Sequence, residues 1–254
     1  MDRSFLSDKA VVEASRRFTC IRLATYESQK EADVLATIFL GREGTVENTT
    51  FAILSPDGGR ELIRGGRSPS RQFRSASALA GRMDAIAKRY DRNSRATPPL
   101  PGMATVRLSL NVAACDGRPL VIGYAKTSNA AKKLEAKLAK IAWSKTFLGR
   151  AEWVVTSKGD DLKKIGLKPA TGIHVVQPDT YGLKARLLGT VKDTQKKSLA
   201  KLEAAIAKHQ AESKTSGRHI RNARRAGLHW ETAIPITDSH RPPDRGGRRR
   251  GGGR

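Results

Sequence analysis

The residues of this chain that could carry chemistry are few: Cys20 and Cys115, five histidines, and the adjacent acids Asp160 and Asp161. Cys20 sits in the apolar run FTCIRL, where a cysteine acts as a small hydrophobe. Cys115 precedes Asp116-Gly117 and is expected at the surface, open to oxidation or to pairing between chains. Both are candidate redox thiols, and too far apart in sequence to argue a disulfide scaffold. His174 falls in an apolar run, His209 follows a helical pattern, and His219, His229 and His240 stand ten or eleven residues apart in a polar stretch. No two have ligand spacing and neither cysteine lies near them, so no metal site is expected. Asp160 and Asp161 open a short helix and suit capping better than acid–base work. Gly58-Gly59 and Gly65-Gly66 lack the strand, loop and Lys-Ser/Thr context that cradles phosphate. No catalytic set emerges, no cofactor is expected, and the chain leans away from being an enzyme.

Charge is the stronger signal. The 254 residues hold 48 Lys plus Arg against 24 Asp plus Glu, a net charge of +24. From Ala211 onward there are 11 basic and 4 acidic residues, so the first 210 residues still carry +17. A surface positive throughout attracts polyanions. The chain ends in DRGGRRRGGGR, an Arg/Gly tract that cannot bury enough surface to fold. Its arginines Arg245, Arg248, Arg249, Arg250 and Arg254 are candidate contacts to nucleic acid or another anion. Just before it, HIRNARRAGLHWETAIPI mixes basic and apolar residues and is expected to fold back on the second half of the chain. No apolar run is long enough to span a membrane. Acidic and basic residues interrupt the opening stretch, so it does not read as a signal peptide. The compartment stays open, as does the partner, which could be a polyanion or another protein.

The elements that would position these residues repeat. TTFAILSPDGGRELIRG (Thr49 to Gly65) reads as strand, Pro-Asp-Gly turn, strand, and TGIHVVQPDTYGLKARLLG (Thr171 to Gly189) repeats the plan with Pro178-Asp179. An amphipathic helix follows each: Ser75 to Tyr90 and Thr194 to Gln210. An apolar strand precedes each: Phe18 to Leu23 and Ala151 to Thr156. The second half adds an alternating strand at Val106 to Val112, a buried strand at Pro119 to Ala125, a helix at Asn129 to Thr146 and a short helix at Asp160 to Ile165. The predicted organisation is a first unit over 1–92, a Pro-rich linker over 93–104, a second unit over 105–210, a basic extension over 211–240 and a disordered tail over 241–254.

The order β-α-β-α-β-β-α, with FAILSPDGG as third strand and turn, resembles the thioredoxin fold. That resemblance implies an α/β protein of tandem thioredoxin-like three-layer units with mixed sheets. It covers residues 2 to 90 and 106 to 208. Active members carry Cys-x-x-Cys at the start of the first helix, where the helix end favours a thiolate. In the second unit that place reads Lys126, Thr127, Ser128, Asn129, without cysteine. The family's cis-proline slot falls on Thr49 and Thr171, where an ordinary trans peptide is expected. The resemblance therefore implies a redox-inactive binding or scaffold module, with a basic nucleic-acid-associated protein as the alternative.

In such a fold the first strand lies between the second and third, and the first unit lacks it. Phe18 to Leu23 and Thr49 to Leu54 would then face a gap with unpaired ladder groups. Three fillings stand: residues upstream of Met1, a segment such as Val106 to Val112, or a loosely held first unit. The first is favoured because Met1-Asp2-Arg3 fits the middle of a helix. A Cys-x-x-Cys upstream would make the chain part of a thiol-disulfide oxidoreductase.

Overall fold

The structure, a computed structural model, describes residues 5–47, 50–90, 98–192, 194–212, 215–229 and 231–237. It divides into two compact units, Met1–Asn93 with Trp230–Arg254, and Ser94–His229. The tail arginines, Thr49 and residues 93–97 of the linker lie outside the described residues.

The first unit begins with α1 (Lys9–Ser15), started by Asp8, whose side chain accepts the Ala10 N–H. The apolar run that follows is not the strand expected at Phe18 to Leu23. It runs without regular structure, with Ile21 72% exposed. Apolar composition alone does not make a strand, and β1 (Phe51–Leu54) and β2 (Glu61–Gly66) form a two-stranded antiparallel sheet of their own. Between these parts α2 (Gln29–Ile38) starts at Ser28. The hairpin turns at Gly58, with φ of 74° and its N–H on the Ser55 carbonyl. Helix α3 (Ala76–Ala87) then lays Leu79, Ala80, Met83 and Ile86 against Val11 and Ala14 of α1 and Ile53 and Ile63 of the hairpin.

Two further ties close this unit. Glu47, buried beside Gly41, pairs with Arg67. The segment over 231–237 also belongs here. The Ile234 N–H donates to the Tyr26 carbonyl at 3.0 Å, and the Thr237 hydroxyl to the Val46 carbonyl at 2.7 Å. The expectation that this stretch returns to the second unit is thus corrected in its last part. Tyr26 and Val46 leave carbonyls open to its donors.

In the second unit, Val106 to Val112 is the start of a helix, α4 (Val106–Asp116), and not a strand. Its alternation is coincidental. Thr105 caps the Leu108 N–H, Gly117 closes the other end at φ 63°, and Val106, Leu110, Ala113 and Ala114 share one buried face. This segment therefore cannot serve as a missing strand. Then come β3 (Leu120–Tyr124), α5 (Ser128–Ala142), β4 (Glu152–Thr156), α6 (Gly159–Lys164), β5 (Gly172–Pro178), β6 (Ala185–Val191), α7 (Lys196–Ala207) and α8 (Ser216–Arg225).

The sheet order is β4-β3-β5-β6, with β3 parallel to β4 and antiparallel to β5, and β5 antiparallel to β6. Side chains alternate between two cores. Val121, Trp153, Ile173 and Val175 meet Leu138 and Ile141 of α5 and Leu202 and Ile206 of α7. Leu120, Ile122, Val154 and Val176 meet Val106 and Leu110 of α4 and Leu162 of α6. Ile122→Ala should cost about 2–5 kcal/mol by opening a cavity in the second core. Ile21→Ala, at an exposed position outside any strand, should stay within about 0.5 kcal/mol. Urea unfolding midpoints check both, and a large loss at Ile21 would restore a buried strand there.

Candidate nucleic-acid interface

The thiols can be placed first, because they decide whether redox chemistry competes with binding. Cys20 and Cys115 are both free and at the surface, in different units. The Cys20 sulfur lies 3.8 Å from the Ser15 carbonyl. Surrounding protein desolvates its thiolate and pushes the thiol above its ordinary value, an effect that the Ser15 contact only partly opposes. Cys115 is the penultimate residue of α4, at the end of a helix whose dipole disfavours an anion. The first turn of α5 holds a hydroxyl: Thr127 Oγ1 accepts the Ala130 N–H at 3.2 Å.

The histidines and acids of the second unit take structural roles. His174, on β5 and 4% exposed, sits between the Thr190 hydroxyl at Nδ1 (3.3 Å) and the Ala170 carbonyl at Nε2 (2.6 Å). A carbonyl can only accept, so Nε2 carries a proton and donates to Ala170. His209 Nε2 likewise reaches the Gly117 carbonyl at 2.8 Å. Asp160 and Asp161 do not cap α6, which starts at Lys158 without a side-chain cap. They occupy its first turn, where negative charge is favoured. Asp160 pairs with Lys163 at 2.9 Å, and its carboxyl is held below the ordinary range by the Lys163 hydrogen bond and charge. Asp161 accepts from the Thr156 hydroxyl at 2.7 Å. Among the described residues, no group of three or more His, Cys, Asp or Glu is placed to hold a metal ion.

What remains are cations without carboxylates. Helix α5 exposes Lys132, Lys133, Lys137 and Lys140 within an arc of about 140° at 100° per residue. Glu135, off that arc, is the one acid on the helix. Helix α8 is the stronger case. Arg218, Arg221, Arg224 and Arg225 are exposed within about 120° of one another. On its other side His219 stacks on Tyr181 with ring centroids 4.7 Å apart, which fixes the arginine side outward. None of these lysines or arginines forms an ion pair among the described residues. The sequence shows this stretch as basic, but only the spacing 218, 221, 225 shows a face. The five tail arginines, Arg245, Arg248, Arg249, Arg250 and Arg254, fall outside the described residues.

Comparison with family models, with curated proteins and with solved structures finds no match to the chain.

The raised Cys20 thiol makes a measurable claim. At neutral pH, iodoacetamide should modify Cys20 severalfold more slowly than a free cysteine peptide, since only the thiolate reacts. The deficit should shrink as pH rises toward the thiol's shifted value. Peptide-resolved alkylation rates check this, and a rate above the free peptide would mark Cys20 as an activated thiol.

Proposed function

We propose that this chain is a redox-silent protein, built from thioredoxin-like units, that works by binding nucleic acid. The observation that carries the proposal is the arginine face of α8, four exposed guanidiniums without a carboxylate partner among the described residues. Arg218 to Arg225 spans about 10 Å of helix axis at 1.5 Å per residue. One strand of duplex presents a phosphate every 3.4 Å or so along its axis, so this face meets about three phosphates. Guanidiniums match phosphate oxygens through paired N–H groups and stack on exposed bases. The lysines of α5 and the tail arginines extend the attraction, and the net charge of +24 gives it long range.

Two observations support the thioredoxin-like part of the reading. The first strand of the second unit, β3, lies inside the sheet between β4 and β5, with the β5–β6 hairpin and α7 closing the plan. The first unit ends on the same hairpin-and-helix sequence, β1, β2 and α3. Redox silence rests on Lys126, Thr127 and Ser128 standing where the family's thiolate chemistry would lie, and on a Cys20 thiol held protonated.

The test is fluorescence anisotropy with labelled single-stranded and duplex oligonucleotides, with salt raised from about 50 to 200 mM. Affinity should fall steeply, linearly in log–log form. Replacing Arg218, Arg221, Arg224 and Arg225 together by Gln should weaken binding at least tenfold. It should also flatten the slope by about 2 to 3, since each lost phosphate contact removes about 0.7 to 0.9. All four positions are exposed, so the fold should survive, as an unchanged melting curve would establish. A variant with unaltered affinity and slope overturns the assignment of α8.

A further inference from the structure

The first unit carries a second, smaller concentration of positive charge that the α8 reading does not use. Arg60, in the turn just before β2, faces α3 residues Arg82 and Ile86 and the turn residues Arg89 and Tyr90 across a cavity of about 200 Å³, with Leu62 completing the wall. Positions 82, 86, 89 and 90 recur at helical spacing, so one face of α3 and its final turn supply most of the lining. The Arg60 guanidinium donates to the Tyr90 hydroxyl at 3.4 Å, which ties hairpin to helix across the opening.

Among the described residues, the wall contains three guanidiniums and no carboxylate. Three nearby acids among the described residues are engaged elsewhere. Asp84 pairs with Arg17, and Glu61 accepts the Gly65 N–H at 2.8 Å. Asp57 is held by the Ser55 hydroxyl and the Gly59 N–H, and the charge of Arg60 is the least of the effects on it. The C-terminal end of α3 contributes about half a negative charge, far short of neutralising three cations. Unneutralised arginines gathered around one concavity repel each other, and an anion seated among them removes that repulsion.

We propose that this cavity binds the phosphate of a nucleoside monophosphate, either the free nucleotide or the 5′ end of a nucleic-acid strand. A phosphate monoester carries nearly two charges at neutral pH and presents several oxygens to the arginine forks. The cavity is smaller than pockets that enclose a whole drug-sized ligand, so the phosphate enters and the nucleoside stays near the rim. There Leu62, Ile86 and the Tyr90 ring offer apolar surface and a plane for stacking. The site lies in the first unit and does not depend on the arginine face of α8.

The experiment is isothermal titration of the full chain with AMP, adenosine and inorganic phosphate, paired with competition between 5′-phosphorylated and 5′-hydroxyl oligonucleotides. AMP should bind at least tenfold more tightly than adenosine or phosphate alone. Arg82→Ala and Arg89→Ala, both at exposed positions, should each lower AMP affinity tenfold or more with melting curves unchanged. Arg82→Lys, which keeps the charge but loses the fork, should recover only part of it. A preference for the 5′-phosphorylated oligonucleotide that disappears in Arg82→Ala, but survives the Gln substitutions on α8, identifies a strand end as the source. AMP binding without such a preference identifies the free nucleotide. AMP no tighter than adenosine or phosphate, or affinity unmoved by both alanine variants, overturns the site. That result would leave the α8 reading standing.

Discussion

Strand β3 has no exposed residue, and the second unit is organised around that constraint. A backbone buried on both faces must satisfy every N–H and C=O within a sheet, so β3 needs a ladder on each side. β4 supplies one in parallel register and β5 the other in antiparallel register. The side chains then need cover above and below, which α5 and α7 give on one face and α4 and α6 on the other. Gly123 shows how closely the cover fits. A Cβ there would meet Leu138 Cδ1 at 2.9 Å, so α5 can approach only because that position has no side chain. The rest of the unit follows from hiding one five-residue strand.

Several acids among the described residues are spent on this architecture, while the basic faces stay outward. Glu152 pairs with Arg118 at 3.1 Å and Glu203 with Arg150 at 2.7 Å, while Asp84 and Glu47 hold Arg17 and Arg67. Asp179 is consumed in the β5–β6 turn, accepting from the backbone of Tyr181, Leu183 and Lys184. Most such pairs at the surface contribute little to stability. With twice as many basic as acidic residues, the arginines of α8 and of the α3 cavity have no carboxylate partner among the described residues.

The sequence was legible where local signals agreed with tertiary demand. The Pro-Asp turns, the helix after each hairpin, and the continuous apolar run of β3 all stand where their patterns put them. It misled where an apolar pattern had two readings. VRLSLNV alternates like a strand, yet Thr105 before it and Gly117 after it are helix punctuation, and the residues beyond Val112 complete a helical face. FTCIRL has strand composition, but composition cannot show whether an edge is available to pair with it. The arginine face of α8 was hidden within a stretch read only as basic. The α3 cavity could not be seen at all, because Arg60 joins Arg82 and Arg89 only through the packing of hairpin on helix.

The residue at the start of α5 decides what that helix end can do. A cysteine there would be stabilised as an anion by the helix and would become a nucleophile. Thr127 instead turns its oxygen onto the Ala130 N–H, so the same partial charges are used to begin the helix. The hydroxyl is not ionised at neutral pH, and no cysteine adjoins it in sequence. That position therefore serves the start of the helix. The positive potential of the unit lies instead along the sides of α5 and α8, where lysines and arginines project without constraint from the core. Such a scaffold can change its outer charge without disturbing β3, because no residue of the basic faces contributes to either hydrophobic core.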